Sequence, residues 1–314
     1  MVRRLGVPAA ALAFVALEAG FVRTTSDTTG APLSWPVPVV AYHVNPVIEA
    51  LPNSAPSCDP TGTAGPAIDA IRASFAEWEE PCAHLRFVYG GTLDELRTGI
   101  AGIDENVVVF RRGWCSQNPA AVADPCFTDP NANCGGIYDC FEDTGRYASH
   151  SIVALTSVLY DPATGRIFGA DIELNGWDGT EPGSPLSSAS HGWYFSCLDP
   201  AVVPTTTVCG SYGDANCHFI DLRNTVTHEV GHFLGLAHAP SSTVTMFATT
   251  SPGELEKRSL SADDVAGVCA IYPDPSGGCG CGRGEGAGAA SLLVASLALR
   301  RRRRAPAQTT TSPA

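Results

Sequence analysis

The chain has 314 residues, of which 44% are hydrophobic and 16% charged, with a formal net charge of −13. That length and apolar content allow one large core or two small ones and exclude global disorder. Five of the 19 basic residues lie in the single run Arg300–Arg304, so the remainder is more acidic still. This excludes a nucleic-acid binder, which needs a basic footprint.

Residues 1–22 have the layout of a signal peptide. Arg3 and Arg4 give a positive start, and the apolar run Leu5–Leu17 is too short to span a bilayer. Cleavage is expected between Ala19 and Thr25, and export to the extracellular space or cell surface follows. The β-formers of Val39–Val44 predict a strand. Pro52–Pro66 is a Pro/Ser/Thr/Gly loop. Ile68, Ile71, Phe75 and Trp78 recur at helical spacing and predict a helix over Pro66–Glu80, stopped by Pro81. Leu85–Tyr89 and Val107–Phe110 read as two further strands.

Trp114–Arg146 holds Cys115, Cys126, Cys134 and Cys140 among Pro, Asp, Asn and Gly, and reads as a disulfide-pinned loop. Ten of the 12 cysteines lie between Cys58 and Cys269, which fits an oxidising compartment and up to five disulfides. Asp124, Asp129, Asn131 and Asp139 are candidate structural calcium ligands. Their spacing is not that of an EF-hand, so a plain solvated loop outweighs this reading. Ile152–Tyr160 and Ile167–Leu174 are strand candidates joined by a turn at Asp161–Gly165. Gly176–Ala215 is a Gly/Pro/Ser-rich insertion carrying Cys197 and Cys209. Asp221–Ala237 is predicted to be helical, with Asn224 or Thr225 as cap, or with a start further upstream. A last helix is predicted over Ser261–Ile271, with Ser261 as N-cap and Asp263 and Asp264 in its first turn.

The chemistry sits in Thr227-His-Glu-Val-Gly-His-Phe-Leu-Gly-Leu-Ala-His238. His228 and His232 are four apart, so on a helix they project from one face. Gly235 can take a positive φ, end the helix and turn the chain, which lets His238 approach from another direction. Three neutral imidazoles leave the fourth position of a zinc ion open, as in catalytic rather than structural sites. Glu229, one position on from His228, is the candidate general base. A metal-free histidine cluster is the bland alternative, and the agreement of three histidines, the glutamate and the glycine weighs against it.

This segment matches the H-E-x-x-H-x-x-G-x-x-H signature of the metzincins, and the chain resembles their matrixin branch most closely. Met246, eight residues beyond His238, is similar to the matrixin methionine turn beneath the metal. Trp35–Val44, Ala67–Trp78, Gly165–Asn175 and Leu260–Tyr272 resemble the first strand, the first long helix, the strand before the active-site helix and the closing helix of that fold. The resemblance implies an α+β catalytic domain over residues 33–273, with 176–215 inserted. A twisted mixed sheet would pack on two long helices, with a small C-terminal lobe and disulfide-rich insertions. It also implies a zinc endopeptidase acting on proteins or peptides, with His228, His232 and His238 as metal ligands, Glu229 as catalytic base and Gly235 and Met246 as structural residues. Substrate would pair with an edge strand, for which Ile152–Val158 is the candidate and a plain core strand the equal alternative. A monomer is expected. Three features depart from the family pattern: Ala239 follows the third histidine where matrixins have serine, Ala248 lies two residues beyond Met246, and no cysteine-switch motif is present.

Beyond the domain, 274–286 is a Gly-rich linker with Cys279-Gly-Cys281, followed by an apolar segment and the Arg run over 287–304 and a disordered end over 305–314. This order resembles the MYXO-CTERM sorting tail, which implies envelope anchoring and a sorting protease as partner. Two rival readings stay open at this stage. One is a catalytically silent surface binding protein on a metzincin scaffold. The other is a metal-dependent hydrolase of something other than peptides.

Overall fold

The computed structural model describes residues 20–45, 65–79, 81, 85–93, 105–111, 113–129, 134–141, 152–176, 193–199 and 220–273. The expected signal segment ahead of Gly20, the linker and tail beyond Pro273, Asn131 and most of the expected insertion lie outside these residues.

The elements in chain order are β1 (Val22–Arg23), β2 (Val39–Val44), α1 (Pro66–Glu79), β3 (Arg86–Thr92), β4 (Val107–Arg111), α2 (Pro119–Ala123), α3 (Cys134–Tyr138), β5 (Ala154–Tyr160) and β6 (Ile167–Asn175). They continue with β7 (Trp193–Tyr194), β8 (Ile220–Asp221), α4 (Leu222–Phe233), β9 (Leu236–Ala237) and α5 (Ala262–Ile271). The fold is thus mixed α+β. The main sheet has the order β3-β2-β4-β6-β5, with β5 antiparallel at one edge and every other pair parallel. Burial follows position. The inner strand β4 is buried at all its residues, as a covered parallel strand requires, whereas β2 alternates and sends Val40, Tyr42 and Val44 inward.

Helices α1 and α4 pack side by side. The apolar face of α1 supplies Phe75, which stacks on Tyr42 at 3.8 Å and meets Phe233 of α4 edge-on at 5.5 Å. Trp78 is fully buried between the helices, and its indole N–H donates to the Thr227 carbonyl at 2.9 Å. A buried indole needs such a partner, because an unmade hydrogen bond there costs about 1–3 kcal/mol.

Four features depart from the sequence expectations, each for a local reason. Helix α4 is capped by Asp221, whose carboxylate accepts from the Asn224 amide at 2.7 Å, rather than by Asn224 or Thr225. It stops at Phe233 instead of Ala237, because Gly235 takes φ +97° and Leu236–Ala237 leave as β9 to pair with β1. That pairing, with Phe21 packed on the core, brings residues ahead of the expected start at Leu33 into the folded body. Finally, the far side of the expected insertion is core: Trp193 and Phe195 are buried against Phe110, and β7 runs parallel to β8.

The cysteine-rich loop is built on two disulfides, Cys115–Cys140 and Cys126–Cys134, which enclose α2, α3 and two 3-10 turns. Cys197 is also disulfide-bonded. Asp124 accepts from the Cys126 amide at 2.8 Å through one oxygen and from the Tyr138 hydroxyl at 2.8 Å through the other. Asp139 lies 4.0 Å from the Arg111 guanidinium. Among the described residues Asp124 serves the loop itself and Asp139 faces the end of β4, and neither belongs to a group of side chains that could hold a metal ion.

Candidate metal centre

The site is assembled from α4, the turn after it and the loop that follows. Helix α4 is buried at all its residues except Arg223 and His232. The 3.6-residue period places His228 and His232 together on one face. Gly235 reverses the chain, and its carbonyl accepts from the Thr24 amide at 2.8 Å. After β9 the chain delivers His238 to the other two. The three rings have centroids 4.7 to 5.2 Å apart, and one nitrogen from each lies within 4.8 Å of the others.

Ring orientation is set from behind. His228 Nδ1 is 2.7 Å from the Thr245 carbonyl and His232 Nδ1 is 2.8 Å from the Leu236 carbonyl. A carbonyl only accepts, so each Nδ1 carries the proton and each Nε2 presents a lone pair to the centre. Burial lowers all three proton affinities: His228 well below the ordinary histidine range, His232 below it, and His238 to about 4. The neighbouring imidazole and Lys257 push His228 and His238 further in the same direction. Neutral imidazoles are the form that ligates metal. His232 Nε2 and His238 Nε2 lie 3.1 Å apart. Two nitrogens at about 2.0–2.1 Å from a tetrahedral zinc would be separated by about 3.3 Å, so the donor set fits that ion.

Glu229 lies beside the trio, 6% exposed. Burial pushes its carboxyl up to about 7, against the opposing pull of a hydrogen bond from Thr156 and the charge of Lys257. The Thr156 hydroxyl stands 2.5 Å from Glu229 Oε2 and 3.2 Å from the Glu229 carbonyl.

Met246 packs against α4 at Gly231. A Cβ on Gly231 would stand 2.1 Å from Met246 Sδ, so only glycine lets this sulfur reach the helix between the two ligands. The turn that carries Met246 is anchored by Asp264, whose oxygens accept from the Thr245 amide at 2.9 Å and the Met246 amide at 3.2 Å. Since the Thr245 carbonyl holds His228, Asp264 orients a candidate ligand through one intervening peptide. The Ala239 amide donates to the Met246 carbonyl at 2.9 Å, which ties the same turn to the strand leaving His238.

A second buried knot holds the start of α4. Arg258 is 9% exposed; it pairs with Asp221 at 2.5 Å and donates to the carbonyls of Ser196, Cys197 and Leu198 at 2.9 to 3.0 Å. Lys257 donates to the Thr249 carbonyl at 2.6 Å and pairs with Glu254 at 3.3 Å.

The structure thus brings His228, His232, His238, Glu229, Gly235 and Met246 to one place. Sequence reasoning did not find Thr156, Asp221, Arg258 or the anchoring role of Asp264. The Ser261-x-x-Asp264 capping box was a legible signal for α5, and its carboxylate does cap that helix. Nothing in the sequence pairs that same carboxylate with a turn nearly twenty residues earlier.

A buried carboxylate beside three convergent neutral imidazoles, on a helix packed against a mixed sheet, is the layout of a mononuclear metal site with a base. Residues 184–273 match the family model described as Matrixin. The match begins inside the expected insertion and runs through the whole candidate site. Metalloendoproteinase 1-MMP of Arabidopsis thaliana is 42% identical over 57 residues, covering 18% of this chain and 15% of that protein. Metalloendoproteinase 4-MMP and 5-MMP of the same plant are 40% identical over 53 residues and 34% identical over 80 residues. They cover 17% and 24% of this chain, and 15% and 19% of the relatives. The chain therefore spans less than a fifth of the length of the curated relatives it matches. At that level the matches are a likeness to the Matrixin family and to metalloendoproteinases.

Proposed function

We propose that this chain is an exported zinc-dependent endopeptidase that cleaves peptide bonds in proteins or peptides. The observation that carries the reading is the convergence of His228, His232 and His238 beside the buried Glu229. The three Nε2 atoms would hold zinc, which supplies a Lewis acid and lowers the pKa of a water molecule toward about 7.

The chain's own residues do the rest. Glu229, with a proton affinity near neutrality, takes a proton from the attacking water at a carboxylate oxygen and passes it to the leaving amine nitrogen. His228 and His232 stay in the Nε2-open tautomer because Thr245 and Leu236 hold their Nδ1 protons. The edge strand β5 presents its outer amides and carbonyls to an extended substrate, which adds as a further strand. The contact of β5 with α4 sets such a substrate alongside Glu229. Disulfide use is compatible with an oxidising compartment, and the segment over 287–304 would anchor the protein at the envelope.

The test is a metal analysis and casein-cleavage assay of the wild type, with and without a chelator, beside two variants. Glu229→Ala is expected to retain zinc and lose cleavage by about 10²- to 10⁴-fold. His238→Ala is expected to lose zinc. Cleavage that survives in Glu229→Ala, or a wild type that takes up no zinc, overturns the reading.

A further inference from the structure

The Thr156 hydroxyl reaches across from the edge strand to Glu229 and is used by nothing in the scheme above. Strand β5 alternates its faces, so Ala154, Thr156 and Val158 share the side turned toward α4. Thr156 pairs through its backbone with Ile172 of β6, which fixes where its side chain stands. From there the hydroxyl lies 2.5 Å from Glu229 Oε2 and 3.2 Å from the carbonyl oxygen of the same residue.

We infer that Thr156 is a positioning residue for Glu229: it clamps the carboxylate at one oxygen and couples the strand that would bind substrate to the group that moves the proton. The inference rests on the peptidase reading above. A hydroxyl has one proton to donate and two lone pairs to accept with. While Glu229 is a carboxylate, Thr156 donates to Oε2. When the attacking water gives its proton to the other carboxylate oxygen, Oε1, Thr156 keeps donating to Oε2. The carboxyl group is therefore held on both sides of the proton transfer, and no donor is left unpaired in a buried place. A charge-assisted hydrogen bond of this kind costs no reorganisation when the base acts.

The experiment uses the full chain with Thr156→Val, which removes the hydroxyl at nearly constant shape, and Thr156→Ser, which restores it. On a synthetic peptide that spans a bond the wild type cleaves in casein, Thr156→Val is expected to lower kcat about tenfold, the worth of one hydrogen bond to a charged group. KM and zinc content should stay unchanged, and Thr156→Ser should recover most of the rate. Affinity for a phosphinic peptide should fall about tenfold with Thr156→Val in the wild-type background. In a Glu229→Ala background the same substitution should change nothing. In the zinc-free protein, NMR relaxation of the Glu229 side chain should report a lower order parameter in Thr156→Val and an unchanged one in Thr156→Ser.

A wild-type kcat in Thr156→Val, an equal loss in the Glu229→Ala background, or no recovery with serine overturns the inference. A protein that cleaves no peptide but shows the expected order parameters overturns the peptidase reading and leaves Thr156's hold on Glu229 standing. The reverse pattern, cleavage with unmoved order parameters, overturns the clamp alone.

Discussion

Gly235→Ala is the sharpest test of how the third histidine is delivered. Gly235 has φ +97°, a conformation that an L-residue adopts only at a cost of about 1–2 kcal/mol. An added Cβ would stand 2.5 Å from the Leu33 carbonyl oxygen, where ordinary contact begins at 3.4 Å, so 0.9 Å must be found. The obstacle is backbone and cannot swing aside. Leu33 is 1% exposed, its amide donates to Thr24 at 2.9 Å and its carbonyl accepts from Arg23 at 3.1 Å. Such overpacking adds about 1–3 kcal/mol, so the total is about 2–5 kcal/mol. Against a stability of about 5–15 kcal/mol this is a large fraction. Urea unfolding of the zinc-free chain should show the midpoint falling with an unchanged slope. Zinc affinity should fall as well, because the turn that carries His238 moves. Gly169→Ala is the control: its Cβ would meet nothing closer than 3.8 Å, and the midpoint should hold or rise slightly. If Gly235→Ala unfolds at the same urea concentration as Gly169→Ala, the account of the turn is wrong.

Three further outcomes are expected. Asp264→Ala leaves the Thr245 and Met246 amides and the Ser261 cap without their acceptor, and should cost about 2–4 kcal/mol in urea unfolding while weakening zinc binding through His228; unchanged zinc affinity would rule out the relay. Arg258→Met strands Asp221, whose proton affinity burial already raises, and should cost about 3–5 kcal/mol; a loss below 1 kcal/mol on this scale would mean that the pair is not holding the helix start. The last outcome concerns pH in the zinc-free protein. Glu229 holds its proton to about 7 when folded and to about 4.5 when unfolded, so the wild type loses stability as pH rises through that window. Glu229→Gln removes this dependence and should gain on the wild type by about 3 kcal/mol between pH 4.5 and pH 7. The histidines are common to both proteins and cancel in the difference, and a gap that does not change with pH would refute the buried, proton-holding Glu229.

The periodic parts of the fold were legible because one residue repeats one environment. Ile68, Ile71, Phe75 and Trp78 announce α1, and the apolar run over Val107–Phe110 announces a covered strand, since these patterns reflect burial on one face or on both. The candidate site was legible for a similar reason. Two histidines a turn apart and a glycine before a third are local geometry written in a dozen residues. The stretch around Trp193 and Phe195 was read as part of an insertion because the residues about it have the composition of a loop. Trp193 and Phe195 become core only when Phe110 and β8 arrive from far along the chain.

The sequence alone therefore determined where the imidazoles and the carboxylate lie along the chain, because their spacing acts through a single helix and a single turn. It left undecided which distant groups hold them. Asp264 and Thr245 behind His228, Thr156 across from Glu229 and Arg258 against Asp221 are pairings between residues 17 to 73 positions apart. No local period connects such residues. Only the packing of the sheet edge and the 3-10 turn Glu256–Arg258 against α4, together with the hold of the closing helix on the Thr245–Met246 turn, brings them within hydrogen-bonding distance.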